Sequence, residues 1–199
     1  MAAQRRYKKK NSSAKIIIVL ITLAVIAAAL LFVVKNLGLA DRLFGETLYP
    51  IKYSEYVDKA SEDYGLDRAL IYAVIHTESH FDEDAESAAG AKGLMQLMPE
   101  SFEWLQSLKG ESLDSDTIME PSVNIDYGSY LLKYFLDRYG DKSAAIAAYN
   151  AGFVVSDWLE NSEYSSDGKT LDIIPYPETE KYVEKVLKAE KMYNKLYFS

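Results

Sequence analysis

The chain of 199 residues has no cysteine, so no disulfide can staple it and its stability has to come from burial. Acidic residues are missing before Asp41, and charge of either sign is missing from residues 16 to 34. Beyond residue 40 what is scarce is positive charge. Seven of the 22 Lys and Arg fall in residues 1 to 40, which leaves 15 against all 30 acids and a net charge of about −15 for the remainder. Phosphate backbones are bound by clustered cations, which this part does not show, so nucleic acid is not expected as a partner. Histidine is nearly absent too. His76 and His80 stand four apart on an expected helix and could offer two imidazoles to zinc. Glu78 falls between them, though, which is not the His-Glu-x-x-His arrangement, and no third ligand is evident, so no metal is expected.

The charge-free stretch is the first positive signal. At about 1.5 Å per residue a helix over residues 16 to 34 crosses roughly 30 Å of hydrocarbon, the thickness of a bilayer core. Arg5, Arg6, Lys8, Lys9, Lys10 and Lys15 precede it, and such a basic flank stays on the cytoplasmic side. The expected layout is a cytoplasmic basic segment at 1–15, a transmembrane helix at 16–34, a linker at 35–51 and a single domain at 52–199. That domain would lie on the outer face of the cell membrane, held by one span. A cleaved signal peptide is the rival reading, because Gly38-Leu39-Ala40 places small residues where a signal peptidase inspects the chain. The apolar run exceeds the roughly 7 to 15 residues of a signal core, and Lys35 and Asn36 close it abruptly, which favours a retained anchor. Both readings place residues 41 to 199 outside.

About 150 residues suffice for one hydrophobic core. Helical periodicity predicts a helix at 53–64 ended by Gly65, and a second, capped by Asp67, carrying Leu70, Ile71, Val74 and Ile75 as a buried stripe to about His80. Residues 82–93 are acidic, then small and glycine-containing, and read as a loop or short hairpin. Further helices are expected at 99–108, at 122–139 before Gly140, from a Ser143 cap to the Asn150-Ala151-Gly152 turn, and at 178–196. Polar loops fill 109–118 and 161–172. The fold class is mainly α, α+β at most through one short hairpin.

Three segments carry chemistry: Glu78-Ser79, Gly93-Leu94-Met95-Gln96-Leu97-Met98-Pro99, and Ala148-Tyr149-Asn150-Ala151-Gly152. Glu78 lies in the last turn of its helix, where the macrodipole opposes ionisation, and Val74 and Ile75 one turn back add desolvation; both raise the pKa of a carboxyl that must hold a proton near neutral pH. Gln96 offers an amide on a segment that Gly93 lets approach closely. Tyr149 and Asn150 supply a ring and an amide beside small residues that would let a polymer lie against the backbone. Each has an ordinary alternative: a surface glutamate, a helix C-cap with a core tyrosine, and Met95 and Met98 as core filler.

Together these motifs resemble the catalytic domain of lytic transglycosylases of the soluble-lytic-transglycosylase type, which have a lysozyme-like fold. Asn124-Ile125 before Gly128 and Tyr130-Leu131, and Glu178-Thr179 before Tyr182-Val183, support the likeness, which covers roughly residues 52 to 195. The resemblance implies that Glu78 is the single catalytic acid and base. The bond cleaved would be the β-1,4 bond between N-acetylmuramic acid and N-acetylglucosamine in peptidoglycan, with closure of a 1,6-anhydro end. It implies that Ser79 orients Glu78, that Tyr182 faces it, and that Met95, Gln96, Tyr149 and Asn150 line the sugar groove. Peptidoglycan glycan strands are the implied partner, with no cofactor. Two alternatives stay open: a hydrolysing muramidase, with Asp82, Glu83, Asp84 or Glu86 positioning water, and a glycan-binding scaffold without activity.

Overall fold

The computed structural model describes the backbone of residues 2–36 and 45–198, with side chains for 14–33 and 45–198. It divides into two compact units, Met1–Leu48 and Tyr49–Ser199. In the first, a continuous helix α1 runs from Ala2–Asn36. Its segment Ala14–Val33 has a mean hydropathy of 3.3 over 20 residues, none of them buried, and is long and apolar enough to cross a membrane. The hydroxyl of Thr22 donates to the carbonyl of Ile18 at 2.8 Å, which satisfies that polar group inside the helix itself, as hydrocarbon surroundings require. Residues 37–44 of the expected linker, with Gly38-Leu39-Ala40 among them, and the side chains of the basic residues 5 to 10 lie outside the described residues.

The second unit is built from helices α2 (Ser54–Tyr64), α3 (Arg68–Glu78), α4 (Pro99–Lys109), α5 (Pro121–Tyr139), α6 (Lys142–Ala151), α7 (Val155–Glu160) and α8 (Pro177–Tyr193). Short 3-10 turns stand at Ser115–Met119 and Gly152–Val154, and a π turn at Asn194–Phe198 follows α8. Local chemistry sets most of the boundaries. Proline occupies the first turn of α4, α5 and α8, where its missing N–H has no intrahelical partner to lose. Gly65, Gly110 and Gly140 end α2, α4 and α5 in the left-handed conformation. Asp67 accepts from the Ala69 N–H at 2.9 Å as the expected cap of α3. The cap of α6 is Asp141, which accepts from the Ala144 N–H at 2.7 Å, and not Ser143: a carboxylate two residues earlier meets the same orphan donors. The short helix α7 has no counterpart among the predicted elements; its six residues are too few for a periodic stripe. Among the described residues there is no strand, and the expected hairpin reduces to two isolated bridges, Glu86 with Lys92 and Lys92 with Leu97.

The core forms around α3, in which every residue from Ala69 to Ile75 is buried. It packs chiefly against α8 and also against α2, while α5 packs on α2 and α6, and α6 on α8. Tyr72 of α3 stacks on Tyr193 of α8 at 5.3 Å between ring centroids. A helix buried from Ala69 to Ile75 delivers its last residue, Glu78, to a half-buried place facing α8.

Candidate active site

The helix α3 ends at Glu78, and the chain then turns abruptly. Ser79 caps it, and His80 and Phe81 follow with φ of 53° and 66°. Two successive non-glycine residues in the left-handed region are costly and persist only where surrounding structure dictates them. Phe81, 4% exposed, is anchored in the core. The Ser79 hydroxyl accepts from the Phe81 N–H at 3.1 Å and donates to the Ile75 carbonyl at 3.3 Å. Ser79 therefore makes its hydrogen bonds to backbone and not to the carboxyl of Glu78; what it orients is the turn.

Tyr182, on α8, reaches across to donate its phenol hydrogen to Oε1 of Glu78 at 2.6 Å. Its side chain is buried, with 7% exposed. Glu78 keeps partial solvent contact, yet burial pushes its carboxyl from the ordinary range up to about 7, with the Tyr182 hydrogen bond pulling the other way. Burial prevails because an ionised carboxylate loses more by leaving water than one phenol returns. Tyr149 belongs to the same cluster: burial, and then the neighbouring Glu78, raise its phenol well above its usual range, and the Tyr182 phenol is raised by burial, by Glu78 and by Tyr149. Neither phenol ionises near neutral pH, so both serve as hydrogen-bond donors.

The second motif is folded against this cluster by one buried amide. Asn124 of α5, with no exposed surface, accepts from the Met95 N–H at 2.7 Å and donates to the carbonyls of Lys92 at 2.9 Å and Ile118 at 2.7 Å. Gly93, at φ 74°, passes so close that a Cβ would stand 2.5 Å from the Asn124 amide nitrogen, and Gly128 leaves room for Met95, whose sulfur would lie 2.6 Å from a Cβ there. Tyr149 Oη donates to the Met95 carbonyl at 2.8 Å, tying the third motif to the second.

Not all expected groove residues stand where the resemblance puts them. Met95 is fully buried, packed against Gly128 and Ser129, so its side chain is core filler and its backbone does the joining. Gln96, half-buried at φ 49°, uses its amide N–H groups on the carbonyls of Ala85 at 3.1 Å and Gly93 at 2.9 Å. Only its carbonyl oxygen remains to meet a ligand. Asn150 is exposed at the end of α6, its Oδ1 accepting from the Thr179 hydroxyl at 2.8 Å. Asn124 and Thr179 stand in the sequence only as marks of the family likeness; the structure adds their contacts, to the second motif and to Asn150. The available signal is spacing: Asn124 lies four residues before buried Gly128, and Thr179 three and four before buried Tyr182 and Val183, so each falls on the inward face of its helix.

His76 and His80 lie with ring centroids 4.9 Å apart. Among the described residues no group of three His, Cys, Asp or Glu could hold a metal ion. Nδ1 of His76 is buried without a hydrogen-bond partner among the described residues, and burial lowers the pKa of the ring; the ring packs on Tyr49 at 4.9 Å. Of the acids after it, Glu83 accepts from Tyr53 Oη at 2.9 Å, and Asp82 accepts from the Asp84 N–H at 3.2 Å.

The protein-family model described as transglycosylase SLT domain matches residues 55–171, which contain Glu78 and all three motifs. The chain belongs to the transglycosylase SLT family. A transglycosylase of Enterobacteria phage PRD1 is 37% identical over 108 residues, covering 54% of this chain and 38% of its own length. The soluble lytic murein transglycosylase of Salmonella typhimurium is 30% identical over 74% of this chain and 24% of its own length. The membrane-bound lytic murein transglycosylase C of Actinobacillus succinogenes is 30% identical over 73% and 47%. Among solved structures, an inactive mutant of the lytic transglycosylase Slt of Pseudomonas aeruginosa superposes with a TM-score of 0.65 at 30% identity, over 74% of this chain and 24% of that one. A 70-kDa soluble lytic transglycosylase in complex with bulgecin A gives 0.67 at 26% identity, over 75% and 25%. The chain thus spans less than half the length of these relatives, and it shares with them the SLT fold.

Proposed function

We propose that this SLT-family chain is a peptidoglycan lytic transglycosylase, anchored in the membrane by α1, in which Glu78 alone supplies both acid and base. The observation that carries the proposal is the Glu78 carboxyl held near pKa 7 by burial, 2.6 Å from the phenol of Tyr182. A carboxyl so placed is protonated often enough near neutral pH to act as a general acid, yet can ionise in the next step.

Glu78 donates its proton to the oxygen between C1 of N-acetylmuramic acid and the neighbouring N-acetylglucosamine, and the C–O bond at C1 breaks. The carboxylate left behind accepts the Tyr182 hydrogen bond. It then takes the proton of the C6 hydroxyl as that oxygen bonds to C1, which closes the 1,6-anhydro ring and restores the acid. No water is added, and one carboxyl serves both steps. This economy is supported by the setting of Glu78, whose carboxyl is raised by burial and drawn down by the Tyr182 hydrogen bond. Ser79 supports the reaction by holding the turn after the acid, Tyr149 by joining the motifs, and Gln96 and Asn150 by the carbonyl and amide they turn to the glycan. One solved relative is inactive as a Glu-to-Gln mutant, which agrees with a single essential carboxyl.

The membrane part of the proposal rests on α1 and on the relative named membrane-bound. The basic flank would remain cytoplasmic and the SLT unit would face the wall.

Mass spectrometry of purified peptidoglycan digested by the detergent-solubilised chain tests the reaction. Muropeptides lighter than hydrolytic ones by about 18 Da, one water, should appear, and Glu78→Gln should yield none. Reducing ends in their place would assign a muramidase. Product formed equally by Glu78→Gln would remove this residue from the mechanism, and glycan binding without any product would leave a scaffold.

A further inference from the structure

We propose that Thr179 is a positioning residue that fixes which way the Asn150 amide faces, so that Asn150 presents its N–H pair to the N-acetyl carbonyl of a sugar. The proposal deepens the function above and rests on it. An exposed asparagine at a helix end turns easily about its last torsion, which exchanges donor for acceptor. Asn150 is exposed in this way, directly before Ala151-Gly152. Its Oδ1 is held by the Thr179 hydroxyl at 2.8 Å, and Thr179 is buried, with 3% exposed.

The burial of Thr179 decides the orientation. Asn150 is the partner of its hydroxyl hydrogen. With the amide reversed, Nδ2 would face the hydroxyl as a second donor, and the buried O–H would lose its acceptor, the costly outcome for a polar group out of water. Oδ1 is therefore turned to α8, which leaves Nδ2 as the free end of an exposed amide, available to donate to a ligand. A donor pair at that place selects an acceptor oxygen, and in a polymer of N-acetylated sugars the acetamido carbonyl is a strong neutral acceptor.

The geometry of α8 adds a second point. Thr179 and Tyr182 are three residues apart on that helix and so share a face. One turn of α8 thereby holds the acid through Tyr182 and the amide through Thr179. Substrate contact and proton transfer are kept in register by one rigid element.

The test uses the detergent-solubilised full chain with Thr179→Val, which keeps the shape and removes the hydroxyl, and Thr179→Ser, which restores it. On N-acetylated glycan strands Thr179→Val should raise KM roughly 2- to 10-fold, the range of one neutral hydrogen bond. Its kcat should stay within about twofold and its pH profile should be unchanged, and Thr179→Ser should return KM to the original value. The KM penalty should vanish in an Asn150→Ala background and on strands whose acetyl groups have been removed. An unchanged KM, a penalty that persists in either of those controls, or a folded Thr179→Ser variant that fails to recover would overturn the assignment. Binding of the same strands to Glu78→Gln, with and without Thr179→Val, separates this from the fate of the reaction. A weaker Kd there upholds the role of Thr179 whatever the product. An equal Kd overturns it, and no glycan binding at all overturns the enzyme reading with it.

Discussion

Glu78 and Tyr182 oppose each other in one measurable quantity, the protonation of a single carboxyl. Burial holds it up and the phenol draws it down. Tyr182→Phe removes the downward pull, so the alkaline limb of the pH–rate profile should move above about 7. Turnover should fall roughly 10- to 100-fold, the range of a hydrogen bond to a charged group. A profile that moves down or stays in place would contradict the hydrogen bond as described. The same carboxyl affects stability. Its folded pKa of about 7 lies above the ordinary 4.5, so between those values the unfolded chain gives up a proton that the folded chain keeps. Stability from this group is present in full below pH 4.5, declines as pH rises, and levels off above 7. Glu78→Gln escapes that loss. Urea unfolding should show the variant gaining on the parent by roughly 1 to 3 kcal/mol between pH 4 and pH 8; a constant difference across that range would place the carboxyl outside its buried setting.

Helix α5 shows how one element carries a whole site without touching substrate. It brings Asn124 under the glycine-rich motif and Gly128 against Met95. Removing the amide in Asn124→Ala takes the partner from the Met95 N–H and the Asn124 donor from the Ile118 carbonyl, while the Lys92 carbonyl keeps the Leu97 N–H, and should cost roughly 2 to 4 kcal/mol by denaturant unfolding. Gly128→Ala should cost roughly 1 to 3 kcal/mol through overpacking against Met95. Both should lower activity as well, since the motif joins Tyr149 through the Met95 carbonyl. Full stability in either variant would show that the loop has another support. Element by element, α2 through α6 and α8 were legible because proline, glycine and aspartate mark their ends and apolar residues mark their faces. The short α7 was not, because six residues are too few for a periodic stripe, nor was Asp141 in place of Ser143 as a cap, because neighbouring polar residues compete for the same free N–H groups.

As a molecule the chain divides into a helix suited to hydrocarbon and an acidic unit suited to water. The full chain should sediment with membranes and be released by detergent and not by salt, whereas residues 49 to 199 produced alone should remain in the supernatant. Release of the full chain by salt alone would argue against α1 as an anchor. With a net charge of about −15 beyond residue 40, the SLT unit gains no electrostatic attraction to anionic wall polymers. Its grip on the wall rests on short-range contacts in the groove, where an aimed amide counts for more.

The order of residues alone determined the apolar helix, the mainly helical class, the three motifs and Glu78 as the acid to test, because periodicity, caps and charge are local properties. Tertiary structure decided the rest. It buried Met95, which had been expected in the groove, turned the Gln96 amide to the backbone and the Ser79 hydroxyl to its own turn, and set Asn124 beneath the loop. It also placed Thr179 and Tyr182 opposite residues 29 and 104 positions away. Whether a polar side chain faces a ligand or closes a loop depends on which distant backbone groups lack a partner, and only the packed chain settles that.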